Sequence, residues 1–238
     1  MKLDEILAAF EHEIAIRDDG LLAGRASLAG RVVEVIGVSG GAFVGVDEAL
    51  WLSSRVLDIV RRGGDTPILV LVDSASQRMS KRDELLGLNE CLSHLAKSLM
   101  LASLRGHLTI GLLYGGTAAG AFIATALATR VLLALPGAEP AVMDLPSISR
   151  VTKLPLEVLQ EMAKSTAVFA PGLDNLAQTG AVDAVLDPAQ PLGAQLAPWL
   201  DARADRADGR DRLGAERGGR PAAARIAERV HALARSAG

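Results

Sequence analysis

The chain has 238 residues, enough to bury a sizeable core as one domain, or as one domain with a tail. Half of it is hydrophobic but only 3% is aromatic, so that core must be built mainly from Ala, Leu and Val. A net charge of −3 predicts no strong attraction to nucleic acid or anionic membrane, and a single cysteine, Cys91, excludes an intrachain disulfide and a Cys/His zinc cluster. Acids from Asp4 onward replace the basic segment and apolar run of a signal peptide, and apolar stretches stop short of membrane-spanning length. A cytoplasmic location is expected.

In chain order, Met1–Ile16 spaces Leu3, Ile6, Leu7, Phe10 and Ile14 helically, predicting a helix at the domain edge or against a partner. Leu21–Ala29 reads as a strand, and Arg31–Val38 as a valine-rich strand ending at Ser39-Gly40-Gly41. Asp47–Arg62 is an amphipathic helix with Leu50, Trp51, Val56, Leu57 and Val60 as its apolar positions, stopped by Gly63-Gly64. Pro67–Asp73 is a buried strand, Ser74–Ser80 a polar loop, Lys81–Ala102 one long helix, and His107–Leu113 the next strand. That strand feeds Tyr114-Gly115-Gly116 and a small-residue helix, Ala118–Ala128. Val131–Leu135 is a strand ended by Pro136-Gly137, Ala141–Met143 a short strand, and Asp144–Arg150 a loop. Pro155–Lys164 and Leu173–Thr179 read as helices, and Ala181–Leu186 as the last strand. The region from about Asp201 to Pro221, rich in Arg, Asp and Gly, predicts a flexible linker or exposed helix; Arg225–Arg235 regains helical spacing at Ile226, Val230 and Leu233. One domain over residues 1–200, then a charged linker and C-terminal helix over 201–238, is the expected organisation.

Main strands that are apolar on both faces and alternate with helices predict an α/β layer fold with a parallel sheet. Active sites in such folds lie at the carboxyl ends of strands. Three ends carry notable residues: Ser39-Gly40-Gly41, Asp73 through Gln77, and Tyr114-Gly115-Gly116. The small residues from Gly115 to Ala121 leave backbone bare where a helix starts, and its first N–H groups can hold an oxygen that gains negative charge. Tight strand–helix packing is the bland alternative, and without a lysine the stretch is no P-loop. It is not a dinucleotide fingerprint either. GGTAAGAF resembles the helix start of Clp-type serine peptidases, but the nucleophile would fall on Ala118, which has no hydroxyl, and Thr117 is one residue out of place. His94 and His107 suit helix-surface and strand-capping roles. Asp73 could position a substrate or cap a turn, Asp83 and Glu84 suit a first helical turn, and Arg150 fits either an anion or a surface ion pair.

The run VLVDSASQRMSKRDELLGLNECLSHLA, a strand, then LLYGGTAAGAFIA and VLLALPGA resemble the carboxyltransferase branch of the crotonase superfamily over roughly Arg31–Asp187. Within it, RDELLGLN, the following HLA and Arg105-Gly106-His107 are similar to the gamma subunit of malonate decarboxylase. The resemblance implies a crotonase-like (ClpP/crotonase) spiral of ββα units whose strand-end loops offer two N–H groups to a thioester oxygen. The family's Ser-Gly-Gly loop falls on Ala119, Gly120 and Ala121, followed by Phe122, so Gly120 inherits the donor position with Ala121 beside it. Of the family's Asp-Thr-Pro-Gly loop only Asp73 matches; Ser74, Ala75 and Ser76 replace the rest, and Gln77 follows. Ser76 and Gln77 join the two backbone donors in the implied catalytic set. Ser39, Gly40 and Gly41 match the loop near the acyl-carrier or cofactor arm, with Tyr114, Gly115, Gly116 and Thr117 completing the arm-binding side. Losing family glycines suggests relaxed constraint on this half of the site.

By the same resemblance the substrate is a malonyl thioester on the CoA-like prosthetic arm of an acyl carrier protein, with no cofactor or metal bound by this chain. The implied partners are a homologous beta subunit, the acyl carrier protein and the acyl-carrier transferase subunit. Two alternatives remain: a non-catalytic scaffold subunit of that complex, and the alpha-type subunit of a biotin-dependent carboxyltransferase. A stand-alone enoyl-CoA hydratase fits less well, because the acid expected in the glycine-loop helix falls on Ile123.

Overall fold

A computed structural model describes residues 1–165, 171–201 and 208–236. The chain opens with α1 (Leu3–Leu7), β1 (Glu11–Ile16), β2 (Leu21–Leu28) and β3 (Arg31–Val44). The single helix expected over Met1–Ile16 is therefore a short helix followed by an edge strand. Apolar residues at Leu3, Ile6 and Leu7 fit the helix and Phe10 follows it, but the mostly exposed β1 is held by antiparallel pairing to β2, which no helical period reports. Ala29 and Gly30, both at positive φ, turn β2 back into β3.

Beyond β3 come α2 (Val46–Arg62), β4 (Ile68–Gln77), α3 (Lys81–Leu85), α4 (Leu88–Leu104) and β5 (Thr109–Leu113). The predicted long helix is broken by Gly87, whose φ of +80° takes the chain out of the helical region. The predicted Ser74–Ser80 loop is strand as far as Gln77, because β3 does not stop at Val38. It bulges through Ser39-Gly40-Gly41 and re-pairs with β4 at Ala42↔Ser74 and Val44↔Gln77. Gly40 and Gly41, with φ of +67° and +66°, supply the backbone that this irregularity needs.

The chain continues with β6 (Gly116–Ala118), α5 (Ala119–Ala124), β7 (Val131–Ala134) and β8 (Glu139–Ala141). The small-residue helix is shorter than expected. It ends where the Thr125 hydroxyl turns back to the Ala121 carbonyl at 2.6 Å. The predicted loop after Met143 is instead α6 (Leu145–Thr152), capped by Asp144 Oδ1 accepting the Ser147 N–H at 2.7 Å, with a proline in the first turn. The remaining elements are α7 (Leu156–Ser165), α8 (Leu173–Gln178), β9 (Ala184–Val185), α9 (Leu192–Asp201), α10 (Arg210–Glu216) and α11 (Ala223–Ser236). Within the predicted linker, α10 is tied down: Arg217 donates to the carbonyls of Ala177, Val182 and Asp183, each at 2.7 Å. Residues 202–207 of that linker lie outside the described residues.

Seven strands form one sheet in the order β1-β2-β3-β4-β5-β7-β9, antiparallel from β1 to β3 and parallel from β3 to β9. A separate parallel pair, β6 and β8, stands off it. Both faces of the sheet are covered, which is why β4 reads as an unbroken apolar run. Ile68, Val70 and Val72 pack toward α2 and α4 against Leu52, Val56, Leu95 and Leu99, with Phe122 of α5 in the same core. Leu69 and Leu71 face the other way, onto a core that includes Ile6 of α1 and Leu192, Leu196 and Leu200 of α9. Covering both faces leaves the carboxyl ends of β3, β4 and β5 as the place where polar groups meet.

Candidate active site

The end of β4 brings the three predicted strand-end stretches together. Asp73 Oδ2 accepts the Gly40 N–H from the β3 bulge at 3.1 Å. On its other side lies Gly115, where a Cβ would fall 2.2 Å from Asp73 Oδ1; only glycine leaves room for that carboxylate. One residue on, Ser74 Oγ and Thr117 Oγ1 share a buried hydrogen bond of 2.8 Å. Two residues past Ala75, Gln77 Oε1 accepts the Gly120 N–H at 2.5 Å. Strict alternation would put Asp73 and Gln77 on the same face; the register shift between Ala42↔Ser74 and Val44↔Gln77, three residues of β4 against two of β3, lets one strand reach both the β3 loop and the start of α5.

The corner from β6 into α5 is tight. Ala118 is extended, with φ −141° and ψ 159°, and Ala119 takes a positive φ of 52° before the helix proceeds. This places Gly120 and Ala121 in the first turn, where backbone N–H groups lack intrahelical acceptors. Gly120 is crowded: a Cβ there would come within 2.8 Å of Gln77 Oε1 and 2.9 Å of Leu92 Cδ1. Ser76 donates to the Gln77 carbonyl at 3.0 Å.

Behind this edge a polar clamp holds the chain leaving β4. Glu48 in the first turn of α2 accepts the Gly45 N–H at 2.8 Å and pairs with Arg78 at 2.6 Å. Asp83, 1% exposed, accepts the Val46 N–H at 2.9 Å and the Ser80 hydroxyl at 2.5 Å. The Ser80 hydroxyl, then the Val46 N–H, hold the Asp83 carboxyl below its ordinary value. Arg82 reaches Asp47 at 2.8 Å. Asp83 lies in a first helical turn, as expected, and also faces inward to cap a second helix, which its position alone does not announce. The Ser80-x-x-Asp83 and Gly45-x-x-Glu48 spacings were the available signals.

Of the predicted arm-binding residues, Gly40 and Gly41 are exposed, whereas Ser39 is buried and its hydroxyl donates to the Gly20 carbonyl at 2.9 Å. Tyr114 is buried too. Its hydroxyl points to the Val38 carbonyl at 3.5 Å, and burial, helped by the Asp73 charge, pushes the phenol up so that it stays neutral. Thr117 is 1% exposed and spent on Ser74, so it does not present a hydroxyl to an arm, nor could it act as a nucleophile. Three residues outside that predicted set sit elsewhere. His94 is on the exposed face of α4, His107 is buried with Nδ1 at 2.9 Å from the Thr66 carbonyl, and Arg150 donates to Ser147 Oγ at 3.3 Å. A cleft of about 720 Å³ lined by Leu127, Met143, Ile148, Leu176, Arg210 and Arg220 includes none of the β4-end groups. Its Arg210 is already paired with Asp208 at 2.8 Å and bonded to the Leu127 carbonyl.

The arrangement gathers small residues and backbone N–H groups at the strand ends, with the Gly40 and Gly120 N–H groups held by Asp73 and Gln77 and Ala121 fully buried; N–H groups at such a corner can hold a carbonyl or enolate oxygen once they are freed. The family profile described as malonate decarboxylase gamma subunit matches residues 40–234. The malonyl-S-ACP:biotin-protein carboxyltransferase of Malonomonas rubra is 30% identical over 176 residues, covering 65% of this chain and 57% of that protein. The chain thus spans little more than half of that curated relative. A Pseudomonas malonate decarboxylase hetero-dimer is similar with a TM-score of 0.75 at 27% identity, covering 92% of this chain and 94% of that one. A Pseudomonas malonate decarboxylase hetero-tetramer in complex with coenzyme A gives a TM-score of 0.74 at 28% identity, with 94% of each chain covered. The fold is the expected crotonase-like one.

Proposed function

This chain belongs to the malonate decarboxylase gamma-subunit family, and from that premise we propose that it is one half of a malonyl-thioester decarboxylase completed by a homologous beta subunit. The observation that carries the reading is the meeting of the Gly120–Ala121 turn, the exposed Gly40-Gly41 bulge and the end of β4 at one edge of the sheet. In this reading the malonyl group arrives on the prosthetic arm of an acyl carrier protein, delivered by an acyl-carrier transferase subunit, and Gly40, Gly41, Gly115 and Gly116 flank the arm. The carbon–carbon bond to the free carboxylate breaks, CO₂ leaves, and the electron pair moves onto the thioester oxygen as an enolate. The N–H groups of Gly120 and Ala121 hold that oxygen. A proton from water or from the partner then gives the acetyl thioester. This chain's share of the chemistry is positioning and charge stabilisation, with Ser76 and Gln77 forming the wall beside the oxygen.

A second reading, the non-catalytic scaffold, draws on one specific observation: the Gly120 N–H is already engaged by Gln77. The test common to both is malonyl-thioester decarboxylation by this chain alone, by the beta subunit alone and by the pair. The reading expects CO₂ release from the pair only. Full activity of the beta subunit alone would make this chain dispensable and overturn it.

A further inference from the structure

We infer that Gln77 is a displaceable cap on the donor at Gly120, a positioning residue that makes the empty site indifferent to neutral carbonyls. The inference rests on the assignment of the enolate oxygen to Gly120 and Ala121 made above. Its basis is geometric. Gln77 Oε1 accepts the Gly120 N–H at 2.5 Å, where the thioester oxygen has to sit. Gln77 and Leu92 are the two side chains that crowd Gly120, and only Gln77 offers an acceptor.

The backbone beneath the cap is fixed. Gln77 pairs with Val44, the Arg78 N–H donates to the Val44 carbonyl at 2.9 Å, and Arg78 is clamped to the buried Glu48. Ser76 Oγ holds the Gln77 carbonyl. Opening the donor therefore needs only a change in the half-buried Gln77 side chain, with no movement of strand or helix.

The chemistry explains what such a cap does. Replacing the carboxamide oxygen by a thioester carbonyl exchanges one neutral hydrogen bond for another, with little net gain. An enolate oxygen makes a charge-assisted bond, roughly twice as strong, and wins the exchange. The cap thus withholds the donor from substrate and product in their neutral forms and yields it to the charged species between them. Binding energy is reserved for the step that needs it.

The test uses the assembled pair, malonyl-S-ACP as substrate and acetyl-S-ACP as inhibitor. Gln77→Ala should lower both KM and the product inhibition constant about five-fold, the equivalent of ~1 kcal/mol for one neutral hydrogen bond, without raising kcat. Gln77→Glu, which keeps an acceptor but charges it, should lower kcat/KM at least about ten-fold, since a carboxylate caps more strongly and repels the enolate. A merely structural Gln77 would leave KM and product inhibition unchanged in Gln77→Ala while kcat fell with stability; that result, with Gly120→Val inactive, overturns the cap and leaves the site assignment standing. Full activity of Gly120→Val would overturn the site assignment itself, and the cap with it.

Discussion

Ala119 and Gly115 show what single residues contribute to this edge. Ala119 sits at φ 52°, in the left-handed region that costs an alanine about 1–2 kcal/mol, at the corner that starts α5, where Gly120 is half-buried and Ala121 fully buried. Ala119→Gly should therefore leave stability unchanged or raise it by up to ~1 kcal/mol, where the same change inside a regular helix would lose that much; urea midpoints of the two proteins decide it. Gly115→Ala works in the opposite sense. Its Cβ would fall 2.2 Å from Asp73 Oδ1, so the carboxylate must move and release the Gly40 N–H. A loss of roughly 1–3 kcal/mol is expected, with weaker hydrogen-exchange protection at Gly40. At this scale the sequence was half legible. Small residues at Gly115 and Gly120 announced close approach, but nothing in a linear pattern says that the approaching groups are Asp73 and Gln77, which lie 43 residues from Gly120 in one case. The burial of Thr117 is hidden from the sequence for the same reason, because its bond to Ser74 spans the same gap.

Among the elements, those whose burial follows one period were read well. β4 and β5 are covered on both faces and appear as continuous apolar runs; α2 forms where expected, with acids in its first turn and arginines in its last, but it buries Ala49, Leu52, Val56 and Ile59, so of the expected apolar positions only Val56 is buried and Leu50 is exposed. Elements held by pairing or capping were not. β1 depends on β2, the second half of β3 depends on a glycine bulge, and α6 depends on the Asp144 cap. The clamp of Glu48, Arg78, Ser80 and Asp83 belongs to this level, since it joins the start of α2 to the end of β4. Asp83→Ala leaves the Val46 N–H and the Ser80 hydroxyl without their buried acceptor, and a loss of roughly 1–3 kcal/mol is expected. The pH dependence has a definite sign. The folded carboxyl is held below its ordinary value of 3.8, so the unfolded chain takes up the proton first as pH falls. Stabilisation by Asp83 is then fully present above that value and is lost as pH drops through it toward the lower folded value. Asp83→Asn should flatten this acid limb, measured as the change in urea midpoint between neutral pH and pH ~3.

For the molecule as a whole, both faces of the sheet are covered, and the carboxyl ends of its central strands bring together the Gly40-Gly41 bulge, the end of β4 and the start of α5. Composition and periodicity are enough for an α/β layer fold with a largely parallel sheet. The crotonase-like class and the decarboxylase family came from resemblance of particular runs of residues, since periodicity cannot separate one parallel α/β sheet from another. In the proposed division of labour, this chain contributes preformed donors and a capped, nearly neutral wall, and the beta subunit closes the site over the thioester. The most direct measurement is kcat for malonyl-thioester decarboxylation by the pair carrying Gly120→Val, with assembly verified by size exclusion. The N–H survives this substitution, but the added side chain crowds it; a fall of about 10²–10³ in kcat in an intact complex, the size of loss seen when one oxyanion donor is denied to the oxygen, is the expected result. Wild-type turnover in that complex would contradict the account and leave the chemistry to the partner.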